Sequence, residues 1–229
     1  MVLGWPRWSS ALSSARGKRG KPRRKVILVF GENQNDTDAI KQFILALAPD
    51  ADVRVDAMRR PPVNLRDAPQ QSIPDRVSII GKLIDAAEVD ADVIAVFAHE
   101  DCDAVEPSHL VLADRIEAAF HSRGYPFVWA ATPAWETEAW LMLWPEAFEK
   151  HVPSWRPLNT SGRSVGLIEN AKEFVARSVE LPHGHGRGYR ESDAPKLAEI
   201  VRHEGWIRTP AARSDSFNEF ARKVDALSL

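Results

Sequence analysis

Apolar and polar positions along the chain predict strands and helices that follow one another. Continuous apolar runs rich in β-branched and aromatic residues are typical of strands buried on both faces of a parallel sheet. Such strands are predicted at 25–30, 93–98 and 126–131, and the alternating stretch 52–58 predicts a fourth. The helical spacing of apolar residues predicts helices over 38–47, 77–87, 112–120, 135–144, 165–179, 194–203 and 216–227. This alternation favours an α/β fold, with a mostly parallel sheet flanked by helices.

The pattern divides the chain into three predicted regions. Residues 1–24 lack periodicity, so they are expected to form a disordered basic tail. Residues 25–150 carry the α/β pattern, and 151–229 is expected to be a helical C-terminal extension packed on the same domain. Within the α/β region, the proline-rich stretch 59–74 is incompatible with regular structure and predicts a long surface loop.

Composition and cysteine usage restrict the class of protein. The chain has 229 residues, of which 44% are hydrophobic and 27% charged, as is typical of a globular protein. The single cysteine, Cys102, excludes an intrachain disulfide and fits a reducing cytoplasm. No apolar run reaches the length of a membrane span, and no signal-peptide pattern follows the basic N-terminus. A soluble cytoplasmic protein without membrane association is therefore expected.

Acidic residues directly follow two of the predicted strands. Gly31 and Glu32 follow the first, and the strand at 93–98 is followed by His99, Glu100, Asp101 and Asp103. Open α/β sheets bind ligands at the carboxyl ends of their strands. In extended chain Asp101 and Asp103 point the same way, and two close carboxylates favour a hard cation such as Mg²⁺. The alternatives are a solvated acidic turn after the second strand and a helix-start charge for Glu32.

A third pair of carboxylates lies in the predicted helix 135–144. Thr132-Pro133 has the form of a helix cap with proline in the first turn, which predicts where this helix begins. Glu136 and Glu138 stand among large apolar residues, so Glu138 is expected to be at least partly buried. A buried carboxylate needs hydrogen-bond donors, a base or a metal. The tryptophans of 129–155 are expected to pack the core or a subunit contact.

Taken in order, these motifs resemble those of the Toprim (topoisomerase–primase) domain. That family carries a glutamate after its first strand and an Asp-x-Asp after a later one, as Glu32 and Asp101-x-Asp103 do here. The stretch 137–141 (TEAWL) is similar to a Glu-Ala-Trp-Leu motif of small stand-alone Toprim-like bacterial proteins, and 213–220 is similar to their closing segment. The resemblance implies a Toprim-like, Rossmann-like sheet and a metal-dependent nuclease.

The resemblance also implies roles for individual residues. It identifies Glu32 as the catalytic acid/base residue and Asp101 and Asp103 as catalytic ligands of Mg²⁺ or Mn²⁺. Glu32 and Glu138 are candidates for further metal ligands. A topoisomerase would need a far longer chain than this one. A small nuclease, or a nuclease-like subunit of a larger assembly, is therefore expected.

One departure from the family pattern leaves the ligand set open. His99 stands where many Toprim domains have aspartate, so His99 and Asp101 could form the pair, with Asp103 as a third member. If Asp101 and Asp103 are the ligands, His99, Glu100 and Glu136 are expected to hold these two side chains in position without binding the metal themselves.

Basic residues and the resemblance indicate partners. Arg23 and Arg24, together with Arg59, Arg60 and Arg66 of the proline-rich loop, could hold nucleic-acid phosphates through their charge. The resemblance implies an effector of a bacterial phage-defence system. The alternatives are a partner-activated subunit that binds an ABC-type ATPase through the tryptophan-rich segment 129–155, a homo-oligomer, and a Toprim fold that binds no metal.

Overall fold

The computed structural model describes residues 23–181 and 186–227. Its strands are β1 (Lys25–Phe30), β2 (Arg54–Met58), β3 (Asp92–His99) and β4 (Val128–Ala131). They form one sheet of order β2-β1-β3-β4, in which every neighbouring pair is parallel. The predicted α/β fold with a parallel sheet is confirmed. The predicted disordered tail lies outside the described residues, apart from its last two positions.

Helices connect the strands and flank the sheet. They are α1 (Gln34–Leu47), α2 (Ile73–Asp90), α3 (His109–His121), α4 (Thr137–Leu141), α5 (Pro145–His151), α6 (Ala171–Val179), α7 (Ala194–His203) and α8 (Asp215–Asp225). Each of the first three helices lies between two consecutive parallel strands, as parallel pairing requires. Across the described residues, no helix combines the length and the apolar character needed to cross a membrane.

The sheet separates two buried clusters. Alternate residues of β1 point to opposite faces, so Ile27 and Val29 join the first cluster whereas Val26 and Leu28 join the second. The first face is covered by α1 and by the helices from α4 onwards, and the second by α2 and α3. The boundary predicted at 150 falls within α5, and helices on both sides of it share the first cluster.

Aromatic side chains fill the first cluster. Trp140 and Trp144 are fully buried and lie among Phe43, Phe217 and Phe220, with ring centroids 4.9 to 6.3 Å apart. Aromatic pairs in this range contribute stability beyond the area that they bury. The predicted core role of these tryptophans is therefore correct. Because both side chains are inaccessible, they cannot contribute to a contact surface on 129–155.

The predicted helix 135–144 is wrong at both ends, because α4 covers only Thr137–Leu141 and residues 142–144 connect it to α5. Residues 132–136 run beside the loop after β3, where Asp103 N donates to Trp135 O at 3.0 Å and Trp135 N donates to Ala104 O at 2.8 Å. Trp135 has a φ of 62°, in the left-handed region, so the chain turns sharply there. Thr132-Pro133 is therefore no helix cap, and α4 begins only at Thr137, next to the loop after β3.

Two other helices begin later or are capped differently than predicted. A turn of 3₁₀-helix covers Val165–Leu167, and Asn170 at φ 49° separates it from α6, so 165–179 is not one helix. Ser214 caps α8 by accepting a hydrogen bond from Phe217 N at 3.2 Å. The predicted cap at Ser216 is wrong, because that hydroxyl accepts from Trp140 Nε1 at 2.9 Å.

Candidate acidic site at the carboxyl edge of the sheet

The carboxyl ends of β1 and β3 lie side by side. Phe30 pairs with Ala98, so the segment that begins at Gly31 leaves the sheet beside His99. From β1 the chain continues to β2 on one side and then to β3 on the other, which makes this gap a topological switch point. A Cβ on Gly31 would lie 2.7 Å from Thr37 Oγ1 and 3.2 Å from His99 Nδ1, so this close approach requires glycine.

His99 is fully buried and holds Asp101. Its Nε2 lies 3.3 Å from Asp101 Oδ1 and 3.0 Å from Thr137 Oγ1, and Thr137 N donates to the same Oδ1 at 3.1 Å. Burial lowers the pKa of His99, but the hydrogen bond and charge of Asp101, with the charges of Asp36 and Glu32, raise the pKa to about 9. Within the described part of the chain, Asp101 makes its side-chain contacts through Oδ1, which leaves Oδ2 for another ligand.

Glu32 is partly buried beside these groups. Its pKa is raised from 4.5 to about 7, first by burial and then by the charge of Asp101, with a smaller effect of Glu100. The charges of His99 and Arg66 oppose this shift. A carboxyl group with a pKa near 7 exists in both forms at neutral pH, so it can both accept and donate a proton.

Two further carboxylates are buried behind this edge. Glu138 on α4 accepts a hydrogen bond from Tyr189 Oη at 2.8 Å. Burial raises the pKa of Glu138 to about 8 against the effect of this hydrogen bond, and the charges of Asp36 and Asp101 add to the shift. Burial likewise raises the pKa of Asp36, in the first turn of α1, to about 6, while the charge of His99 opposes the shift. The prediction that Glu138 is at least partly buried is correct.

Asp36 and Tyr189 are two residues of this site that the sequence did not predict. The polar neighbours of Asp36 suggest a helix cap at the surface. Asp36 is, however, four residues before Ile40, and this spacing places both residues on the buried face of α1. The spacing could have indicated that Asp36 is buried. Tyr189 lies in a stretch without secondary structure. Its hydroxyl contacts Glu138, 51 residues earlier in the chain, and local sequence does not reveal such a contact.

The backbone conformation and the contacts of Asp103 differ from those predicted from the sequence. β3 ends at His99 and Asp103 has a φ of 50°, so the extended geometry that was expected to align Asp101 with Asp103 is wrong. Asp103 Oδ2 lies 2.7 Å from Arg66 Nη1, and the side chain is 55% exposed. Burial of part of the group raises the pKa of Asp103, and the guanidinium of Arg66 opposes that shift. Asp103 therefore pairs with the guanidinium of Arg66, which belongs to the proline-rich loop.

Glu100 and Glu136 fix neighbouring segments to the site. Glu100 is buried, and its Oε1 accepts a hydrogen bond from Arg66 N at 2.9 Å. Glu136 Oε2 accepts from Lys172 N, in the first turn of α6, at 2.8 Å. Burial is the main cause that raises the pKa of each carboxyl group. These two residues therefore hold the proline-rich loop and α6 in place around the acids.

Four of the arginines predicted to contact nucleic acid, Arg23, Arg24, Arg59 and Arg60, divide between two edges of the sheet. Arg23 and Arg24 are exposed and precede β1, so they lie at the amino edge, opposite Glu32. Arg59 and Arg60 are also exposed, but they follow β2 and therefore lie at the carboxyl edge with the acids. Only the second pair is placed to contact a ligand of this site.

In residues 23–181 and 186–227, no group of three or more His, Cys, Asp or Glu side chains is arranged to hold a metal ion. The joint ligation of one ion by Glu32, Asp101, Asp103 and Glu138 stays a prediction. Comparison of the chain with protein-family models, curated proteins and solved structures finds no match. Membership of the Toprim family therefore also stays a prediction that rests on the motifs.

Proposed function

We propose that this protein is a Mg²⁺- or Mn²⁺-dependent nuclease of the Toprim type, which hydrolyses phosphodiester bonds in DNA or RNA. One observation carries the proposal: Glu32 and Asp101 follow neighbouring parallel strands at the switch point, close enough for the charge of Asp101 to raise the pKa of Glu32. Open α/β sheets bind their ligands at this place. A role in bacterial phage defence rests on the resemblance alone.

The donor chemistry of the carboxylates at this edge suits a hard divalent cation. Burial and mutual repulsion raise the pKa values of Glu32, Asp36 and Glu138, so a cation that offsets the repulsion favours their ionised forms. Carboxylate oxygens are the donors that suit Mg²⁺ and Mn²⁺. Glu32 and Asp101 would hold the ion, with Asp103 and Glu138 as further ligands. A bound ion supplies a Lewis acid that polarises a phosphate oxygen.

The protein's own residues supply proton transfer and positioning. With a pKa near 7, Glu32 can take a proton from an attacking water and return it to the leaving oxygen. Protonated His99 and the Thr137 amide hold Asp101 through Oδ1. Because His99 is inaccessible to water, the orientation of the Asp101 carboxylate is set before a substrate binds.

A cleavage assay tests the proposal. The full-length protein is expected to cut supercoiled plasmid, single-stranded DNA or transfer RNA with Mg²⁺ or Mn²⁺ but not with EDTA. Asp101→Ala is expected to abolish cleavage. The matched control is Asp92→Ala, because Asp92 is exposed at the opposite end of the same strand. Protein that is inert on all substrates with both metals, or an Asp101→Ala variant as active as the wild type, would contradict the proposal.

The same assay separates this proposal from a partner-activated subunit. Cleavage that appears only when an ABC-type ATPase is added would favour the second function. Burial of Trp140 and Trp144 removes two residues from the surface predicted for that contact. The partner-activated alternative therefore depends on the resemblance alone.

A further inference from the structure

We infer that Arg66 binds the phosphate backbone of the substrate, through a guanidinium nitrogen that the protein leaves available beside the acids. The inference rests on the proposed function and deepens it, because it names the group that would hold a non-bridging phosphate oxygen. An acidic edge alone repels a polyanion, so a nuclease site at this edge needs a fixed cation.

The loop that carries Arg66 is held firmly, although its sequence predicts an irregular surface loop. Val63 and Leu65 are fully buried in the second cluster, under the sheet face that α2 and α3 cover. The main-chain nitrogen of Arg66 donates to the buried carboxylate of Glu100 at 2.9 Å. Arg115 on α3 donates to Ala68 O further along the same loop. The backbone at Arg66 is thus fixed before any ligand arrives, which lowers the entropy cost of binding.

The guanidinium of Arg66 is only partly used by the protein. Its Nη1 donates to Asp101 O at 2.7 Å and lies 2.7 Å from Asp103 Oδ2, while Nε donates to Asp67 Oδ2 at 3.0 Å. An arginine side chain carries five N–H donors, two of them on Nη2. In the described part of the chain no hydrogen bond reaches Nη2, and the side chain is 27% exposed. An anionic oxygen from solvent can therefore accept from this nitrogen.

The contacts of Arg66 place its Nη2 near the residues proposed to act on the substrate. The guanidinium contacts the main chain of Asp101 and the carboxylate of Asp103, and its charge lowers the pKa of Glu32. A phosphate oxygen on Nη2 would therefore lie next to the residues proposed to act on the phosphodiester. Arginine suits this task because its planar fork keeps the other nitrogens in place while one binds phosphate.

Binding measurements without cleavage test the inference. A labelled single-stranded DNA, its duplex and an RNA of the same sequence are titrated with the full-length protein in EDTA and in Ca²⁺. Arg66→Gln is expected to weaken binding about tenfold, the loss of one charge-assisted hydrogen bond. It should also lower the slope of log K against log salt by about one, as expected for one lost phosphate contact. Arg66→Lys should keep the salt slope of the wild type, because lysine keeps the positive charge. Its affinity should lie between those of the wild type and Arg66→Gln, because lysine lacks the planar guanidinium.

The control variant is Arg123→Gln. Arg123 is exposed between α3 and β4, so it lies at the amino edge, away from the acids, and its substitution removes the same charge. It should change affinity less than Arg66→Gln does. Circular dichroism of Arg66→Gln should match that of the wild type, because Glu100 holds the main chain of Arg66 and not its side chain. Loss of the side-chain contacts with Asp101 O and Asp103 should lower the unfolding temperature only slightly, because these groups are partly exposed.

Failure of this inference is distinguishable from failure of the proposed function. If Arg66→Gln binds as tightly as the wild type with the same salt slope, or if the wild type binds none of the three probes, Arg66 has no phosphate-binding role. Normal cleavage by Arg66→Gln, with unchanged KM, would overturn the inference and leave the nuclease proposal standing. Binding that depends on Arg66, without cleavage in Mg²⁺ or Mn²⁺, would support the inference and contradict the proposed activity.

Discussion

At the residue scale, the ionisation of Glu32 links the site to stability. Its folded pKa of about 7 lies above the usual value of 4.5, so the folded state binds this proton more tightly and loses stability as pH rises from 4.5 to 7. Glu32→Gln cannot ionise, and it should be more stable than the wild type at pH 8 by about 1–2 kcal/mol, a value discounted for partial exposure. Urea unfolding at pH 5 and pH 8 measures this difference. A stability difference that is the same at both pH values would show that Glu32 ionises normally.

The hydrogen bond between Tyr189 and Glu138 gives a second prediction at this scale. It lowers the pKa of Glu138, so Tyr189→Phe should raise that pKa further above 8. The variant should lose about 1 kcal/mol of unfolding free energy at pH 7, and more at pH 9, where the ionised carboxylate needs the donor most. Tyr125→Phe is the matched control, because the hydroxyl of Tyr125 binds Asp85 in solvent. An equal effect of both variants in urea unfolding at pH 9 would contradict the prediction.

At the scale of single elements, local sequence predicts the sheet well and the contacts between segments poorly. Three strands are predictable because their apolar runs are continuous, and β2 because its apolar and polar residues alternate. The parallel pairing of β1 with β3 then places Glu32 beside the acids after β3. The start of α4 is not predictable, because residues 132–136 exchange main-chain hydrogen bonds with the loop after β3. The same limit applies to Asp103, whose partner Arg66 lies far along the chain. Both of these errors concern residues that contact a distant segment of the chain.

The proline-rich loop provides a prediction at this scale. Glu100 Oε1 accepts a hydrogen bond from Arg66 N, so Glu100→Ala should free this amide for exchange with solvent, by roughly tenfold or more. Glu100→Gln is the control, since the amide oxygen of glutamine can still accept this bond. Hydrogen exchange of residues 63–68 followed by mass spectrometry measures the effect. Unchanged protection in Glu100→Ala would mean that buried Val63 and Leu65, with the bond from Arg115 to Ala68 O, hold the loop without Glu100.

At the scale of the whole molecule, the C-terminal helices form part of the α/β core. They cover the sheet face on which α1 lies, and α7 contacts α1 directly. Tyr189, which donates to the buried carboxylate of Glu138, comes from the segment before α7, and the main-chain nitrogen of Lys172 on α6 donates to Glu136. The acidic edge is therefore assembled from both halves of the chain. A protein cut at the predicted boundary of 150 would lose contacts of the site and also the C-terminal helices that cover one face of the sheet.

This dependence predicts how the molecule responds to loss of the C-terminal region. A chain that ends at His151 should not unfold cooperatively, because Phe43, Trp140 and Trp144 would lose the cover provided by Phe217. In the full-length chain Phe217→Ala should cost about 3–5 kcal/mol of unfolding free energy through the cavity it leaves. Leu167→Ala, at a side chain 58% exposed, should change stability by less than about 0.5 kcal/mol. Circular dichroism during thermal and urea unfolding measures all three, and a cooperative transition in the shortened chain would show that residues 23–151 fold without the helices that follow them.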